Sequence, residues 1–155
     1  MSDVREKKVL WLRDYNDVRK ALEKPIYEMV VSLYRDMGLT VIRHAQPHKA
    51  SQTKGIWDVE CYFRKAIAPG RGNRPVVPGV GSIHADREGQ LWHVIHWGHE
   101  VKRYSARNNA SASQVQFHRK MSVYGVLSIV GGVNTAIEFL ARHNIAKLDL
   151  LPNHW

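Results

Sequence analysis

From position 25 onward the chain alternates apolar and polar residues with two different periods, and the changes of period mark its elements. Pro25 suits a first helical turn, and Ile26, Met29, Val30, Leu33, Tyr34 and Met37 recur at helical spacing until Gly38, a natural stop. This predicts an amphipathic helix after a polar lead-in, residues 1–24, in which helix is expected from Asp14 or Asn16. Leu39 to His44 is short and β-branched, and the VECYF run 59–63 alternates, so both are predicted strands. Residues 45–55 between them read as a loop. A third strand begins at Leu91 and ends in Glu100-Val101-Lys102.

Between these strands, residues 64–80 are rich in Gly, Pro and Arg and show no period over most of their length, which predicts an extended basic loop. Gly81 to Ala85 is a candidate short strand turning at Asp86–Gly89. After Lys102 a polar loop, 103–113, leads to a helix capped by Ser111 or Ser113 and running towards Gly125. Val126 to Val130 reads as a buried strand and Gly131-Gly132 as a turn. Asn134 or Thr135 then caps a last helix, and a partly apolar tail, 144–155, ends at Trp155.

Composition narrows the class without naming it. A chain of 155 residues with 44% hydrophobic positions and five Trp is long enough for one domain with a real core. Its single cysteine, Cys61, excludes an internal disulfide framework and fits a reducing compartment. The first residues carry charge throughout, with no apolar signal segment, and no run reaches membrane-span length. A cytoplasmic protein with no membrane partner is expected.

Charge changes the picture more. The net charge is +9 and the pI about 9.9, and residues 61–120 hold ten basic groups against three acidic ones. An excess concentrated in one segment is the footprint of a polyanion partner. At the third strand, alternation sends Glu100 and Lys102 to one face, where a carboxylate and an ammonium can serve a divalent metal and a developing negative charge. Asp58, entering an apolar strand after a Gly turn, is either a capping acid or a ligand. His93, His96 and His99 cannot converge on a strand, Cys61 has no partner pattern for a thiol nucleophile, and the Gly70/Gly72 loop lacks a phosphate-loop motif.

The order of elements, with an acid at the second strand and Glu-x-Lys at the third, resembles the restriction-endonuclease-like PD-(D/E)XK fold. The finer resemblance is to the VRR-NUC nucleases. Its residues are Gly55-Ile56-Trp57-Asp58, Glu100-Val101-Lys102, the helix start Ser111 to Phe117 with Gln114, then Gly125, VLSIV and NTAIEFLAR, within roughly residues 25–142. It implies an α/β fold whose core runs helix, three-stranded meander, helix, strand, helix, with 64–80 as an insertion.

The resemblance implies a metal-dependent DNA endonuclease, acting on branched DNA such as a Holliday junction, as a homodimer in a cytoplasm that would be the host's for a phage protein. Asp58 and Glu100 would hold Mg²⁺, with Mn²⁺ as a substitute, the Val101 carbonyl as a third ligand and Glu28 in the outer shell. Lys102 would activate water, Gln114 would position water or phosphate, and Arg71, Arg74, Arg103, Arg107, Arg119 and Lys120 would contact the DNA backbone. Two departures stand out: Trp57 replaces the family's usual Pro, and 42 residues separate Asp58 from Glu100. A second register aligns His84 with the family's acid, leaving Asp86 as its substitute, and would imply a DNA-binding relative without catalysis.

Overall fold

The computed structural model describes residues 23–44, 55–68, 81–103 and 110–150. Among the described residues the first element, α1 (Glu23–Asp36), includes two residues before Pro25 and buries Ile26, Val30, Val31, Leu33 and Tyr34 along one stripe. Any helix at Asp14 or Asn16 lies outside the described residues. Strands β1 (Thr40–Arg43), β2 (Val59–Ala66), β3 (Ser82–Ala85) and β4 (Leu91–Val101) follow, then α2 (Ala112–Ser122), β5 (Leu127–Gly131) and α3 (Val133–Arg142).

Two boundaries differ from expectation, and one open choice is settled. The basic stretch does not begin at Arg64, because β2 continues through Ala66 against Trp92 on β4. Ser111, not Ser113, caps α2, and its hydroxyl accepts the Gln114 N–H. Helix α3 starts at Val133 behind Gly132 with no side-chain cap, so Asn134 is a buried helical residue and not a cap. Of the tail, Ala146 lies in the core with Ile145 and Leu148 packed against it, while Leu150 is exposed.

The five strands form one mixed sheet. β2 lies between β1 and β4, antiparallel to both. The other edge of β4 is shared end to end: β3 pairs antiparallel with Leu91–Val94 and β5 pairs parallel with Trp97–Val101. A parallel pair needs a crossover connection, and α2 supplies it. Strand alternation divides the side chains between two faces. Val59, Cys61, Ile95, Trp97 and Val101 join α1 and α3 in the main core, while the opposite face carries the polar residues and α2.

One buried relay ties three elements together behind that polar face. Tyr34 Oη lies 2.7 Å from His99 Nδ1, and His99 Nε2 lies 2.8 Å from the Gly131 carbonyl. A carbonyl only accepts, so Nε2 carries the proton and Nδ1 accepts from the tyrosine. Burial keeps the imidazole neutral, its pKa pulled down to about 4. Tyr34→Phe strands Nδ1 without a donor and is expected to lower unfolding free energy by about 1–3 kcal/mol. Urea denaturation with an unchanged m-value checks this, and a loss below about 0.5 kcal/mol would show the relay to be dispensable.

Candidate functional site

The site begins with register. β2 and β4 pair Val59 with His99, and one further step sets Asp58 opposite Glu100. Opposed residues share a face, and Lys102, two along from Glu100, shares it too. Asp58 Oδ2 accepts the Val101 N–H at 2.8 Å, and Lys102 Nζ stands 3.7 Å from Glu100 Oε1. The Lys102 N–H donates to the Gly131 carbonyl at 3.1 Å, which fixes the end of β4 on β5.

Asp58 is held there by the turn before it. Gly55 has φ +83°, and a Cβ at this position would lie 2.3 Å from the Ser113 carbonyl, so the turn sits directly against the start of α2. Trp57 then fills the space left open by Gly98. Its Nε1 donates to Ser128 Oγ at 2.9 Å and its ring meets Phe117 edge-on at 4.9 Å. Trp57 is therefore an anchor for the acid that follows it.

The electrostatics are those of acids crowded out of water. Glu100 is 4% exposed, and burial together with the Asp58 charge pushes its pKa up to about 8. Burial also raises Asp58, although the Val101 N–H and Lys102 oppose it. Glu100 Oε2 is buried and receives no hydrogen bond from a protein N–H or hydroxyl. Without a cation, such a pair relieves itself by retaining a proton.

A further acid reaches the pair, and it is not the one expected. Glu23, in the first turn of α1, feels burial and then the Asp58 charge, both raising its pKa, with Lys102 and Arg103 acting against them. Glu28 lies a turn further on and gives Oε1 to Arg43 Nη2 at 2.7 Å in an exposed ion pair. The Glu28 carboxylate, expected in the outer metal shell, is paired with Arg43 in this structure. Gln114 is also committed, since its Oε1 accepts the Ser111 N–H at 2.7 Å and closes a capping box. Arg103 is exposed beside the site, and Arg119 and Lys120 are exposed in the last turn of α2. Arg71, Arg74 and Arg107 lie outside the described residues.

The alternative register places its residues elsewhere. His84 pairs with Trp92, eight positions before Glu100 and so about 26 Å away along β4. Asp86 accepts the Glu88 and Gln90 N–H groups and Trp92 Nε1, so it builds the β3–β4 turn. His93 and His99 face the core and His96 the other face, as alternation requires.

One cluster beside the acids is not announced by the sequence. Glu60, two residues beyond Asp58 on the same face, accepts from His44 Nε2 at 3.1 Å, from His96 Nε2 and from the Tyr62 hydroxyl at 3.1 Å. Burial would raise the Glu60 pKa, but these three hydrogen bonds outweigh it and lower it. Its period-two spacing from Asp58 was visible in the sequence; the histidines that hold it required the register. Among the described residues no group of three or more His, Cys, Asp and Glu is placed to hold a metal ion, so Asp58 and Glu100 are a pair that a backbone oxygen would have to complete. No family model, curated protein or solved structure matches the chain.

Proposed function

We propose that the protein is a metal-dependent DNA endonuclease of the restriction-endonuclease-like kind, hydrolysing phosphodiester bonds at the Asp58–Glu100–Lys102 end of the sheet. The observation that carries this reading is the Glu100 carboxylate, buried with Oε2 unpartnered, beside the Asp58 charge and with Oε1 3.7 Å from Lys102 Nζ. The order of helix, strands, helix, parallel strand and helix supports it, as does Asp58 meeting Glu100 across β2 and β4.

The donor set fits a hard divalent cation. Asp58 and Glu100 offer carboxylate oxygens, and the Val101 carbonyl lies on the same strand edge as the N–H that Asp58 accepts, so three oxygens suit Mg²⁺ or Mn²⁺ with water completing the shell. Such an ion, when bound, offsets phosphate charge and acidifies water. Lys102 orients the attacking water and offers positive charge to the phosphoryl oxygens as they become more negative. The basic excess, with Arg103, Arg119 and Lys120 exposed, supplies salt-sensitive grip on the DNA backbone. Paired cuts in a symmetric junction would call for a homodimer.

A DNA-binding protein without catalysis is the second reading, favoured by the absence of a three-residue ligand group among the described residues. Cleavage separates the two. Labelled four-way junction, linear duplex and single strand are incubated with Mg²⁺, Mn²⁺ or EDTA. Asp58→Asn and Lys102→Met should each reduce metal-dependent cutting by about 10²-fold or more, while Glu28→Gln stays within about twofold of wild type. Cutting in EDTA, or cutting that survives Asp58→Asn, defeats this site. Salt-sensitive binding with no cutting selects the second reading.

A further inference from the structure

The sheet face that ends in Asp58 and Glu100 continues away from them, and its side chains are not those of an ordinary solvated surface. His96 stacks on Tyr62 with ring centroids 4.1 Å apart and planes 14° from parallel. Further along, the Arg64 guanidinium lies 4.2 Å over the Trp92 ring. β3 adds Ser82 and His84 to the same face through their pairing with Val94 and Trp92, and Ser82 Oγ lies 2.7 Å from His84 Nε2.

These residues border a cleft of about 330 Å³ lined by Tyr62, Ser82, His84, Val94, His96 and Tyr124. That volume falls at the small end of ligand pockets, which run from roughly 300 to 1,000 Å³. Tyr124 stands over it 73% exposed, and its neighbour Val123 is 82% exposed. The turn that presents them is nevertheless fixed: the Tyr124 and Val126 N–H groups both donate to the Met121 carbonyl, and Gly125 takes φ +78°. An exposed aromatic on a held backbone loses little freedom when a flat ring stacks on it. Arg119 and Lys120, exposed in the last turn of α2 just before Tyr124, make that end of the helix positive, so a polyanion is the partner whose charge it matches.

We propose that this cleft receives an unpaired DNA base, stacked on Tyr124, while the strand it belongs to passes around the buried Trp57 indole, which covers Gly98, to reach the carboxylate end. The inference rests on the phosphodiesterase reading for the position of the cut. His96 is four residues from Glu100 on β4, about 13 Å, so the captured base lies a few nucleotides from the reacting phosphate. Aromatic stacking accepts any base, and the Ser82–His84 pair offers polar atoms to a base edge. A base inside an intact duplex is paired and stacked within its own helix and has to be extruded first. The cleft therefore selects DNA that already carries unpaired nucleotides, such as flaps, forks and open junction centres.

The test is equilibrium binding in EDTA, read by fluorescence anisotropy, with labelled duplex, single strand and a duplex bearing a short flap. Wild type should bind the flap about tenfold more tightly than the duplex. Tyr124→Ala, at an exposed position, should erase that preference and leave duplex affinity unchanged. 2-Aminopurine in the flap should be quenched by wild type and not by Tyr124→Ala. Equal affinity for flap and duplex, or a preference untouched by both Tyr124→Ala and His84→Ala, overturns the cleft assignment; if metal-dependent cutting persists, the catalytic reading stands without it. Failure to bind any of the three DNAs sinks both.

Discussion

Glu100→Gln is expected to lower metal-dependent DNA cleavage by about 10³-fold while making the metal-free protein more stable at pH 8. The two effects have one cause. Glu100 titrates near 4.5 when unfolded and near 8 when buried beside Asp58, so between these values the folded protein binds the extra proton. Stability from this group is complete below about pH 4.5 and is lost as pH rises through about 8, by up to about 1.4 kcal/mol per pH unit. Gln is neutral at every pH and offers Asp58 an N–H, so the variant escapes that loss.

The same substitution removes a ligand. Mg²⁺ or Mn²⁺ should raise the wild-type Tm increasingly from pH 6 to pH 9, as the pair gives up its proton to a cation, and should leave the Glu100→Gln Tm unmoved. Thermal unfolding with and without metal across that range is the check. A variant that cuts within about tenfold of wild type, or one whose Tm still responds to metal, removes Glu100 from the site.

Gly98→Ala is the second large effect. An added Cβ would lie 1.8 Å from Trp57 Cδ2 and within 2.2 Å of two further ring carbons. The indole has no free direction: its Nε1 is bonded to Ser128 and its ring is packed on Phe117. Overpacking at a fixed group costs about 3 kcal/mol or more here, which lowers Tm by roughly 5–10 °C. Any relaxation that moves Trp57 also moves Asp58 off the Val101 N–H. Cleavage at a temperature where the variant is folded should therefore fall further than its stability implies, by at least about tenfold. Wild-type cleavage by folded Gly98→Ala would disconnect the indole from the acid.

The parts of this site that sequence disclosed are those governed by spacing along one strand. Glu100 and Lys102 share a face because two residues make one strand repeat, and the long apolar run predicts β4 itself. Asp58 was marked by a glycine turn, although only the β2–β4 register separates it from Asp86. Glu23 was missed because it precedes the helical period and stands among charged, polar neighbours. Glu28 looked better on composition, yet the rotation of α1 hands it to Arg43. Gln114 fits both a catalytic motif and a capping box, and sequence cannot tell which of the two its side chain serves. His44 and His96 lie 52 residues apart, and nothing local announces that both will reach Glu60.

The shared outer edge of β4 bears on how the chain emerges from the ribosome. Residues Leu91–Val94 are paired as soon as β3 is present, since β3 is made first. Trp97–Val101 wait for β5, which follows only after the whole of α2 has been synthesised. Until then the finished β4 carries half a bare edge, the arrangement that invites pairing with another chain. Chains halted between Lys102 and Val126 are accordingly the species to watch for in aggregates, and the polar, positively charged segment made during that interval is well suited to keeping them apart.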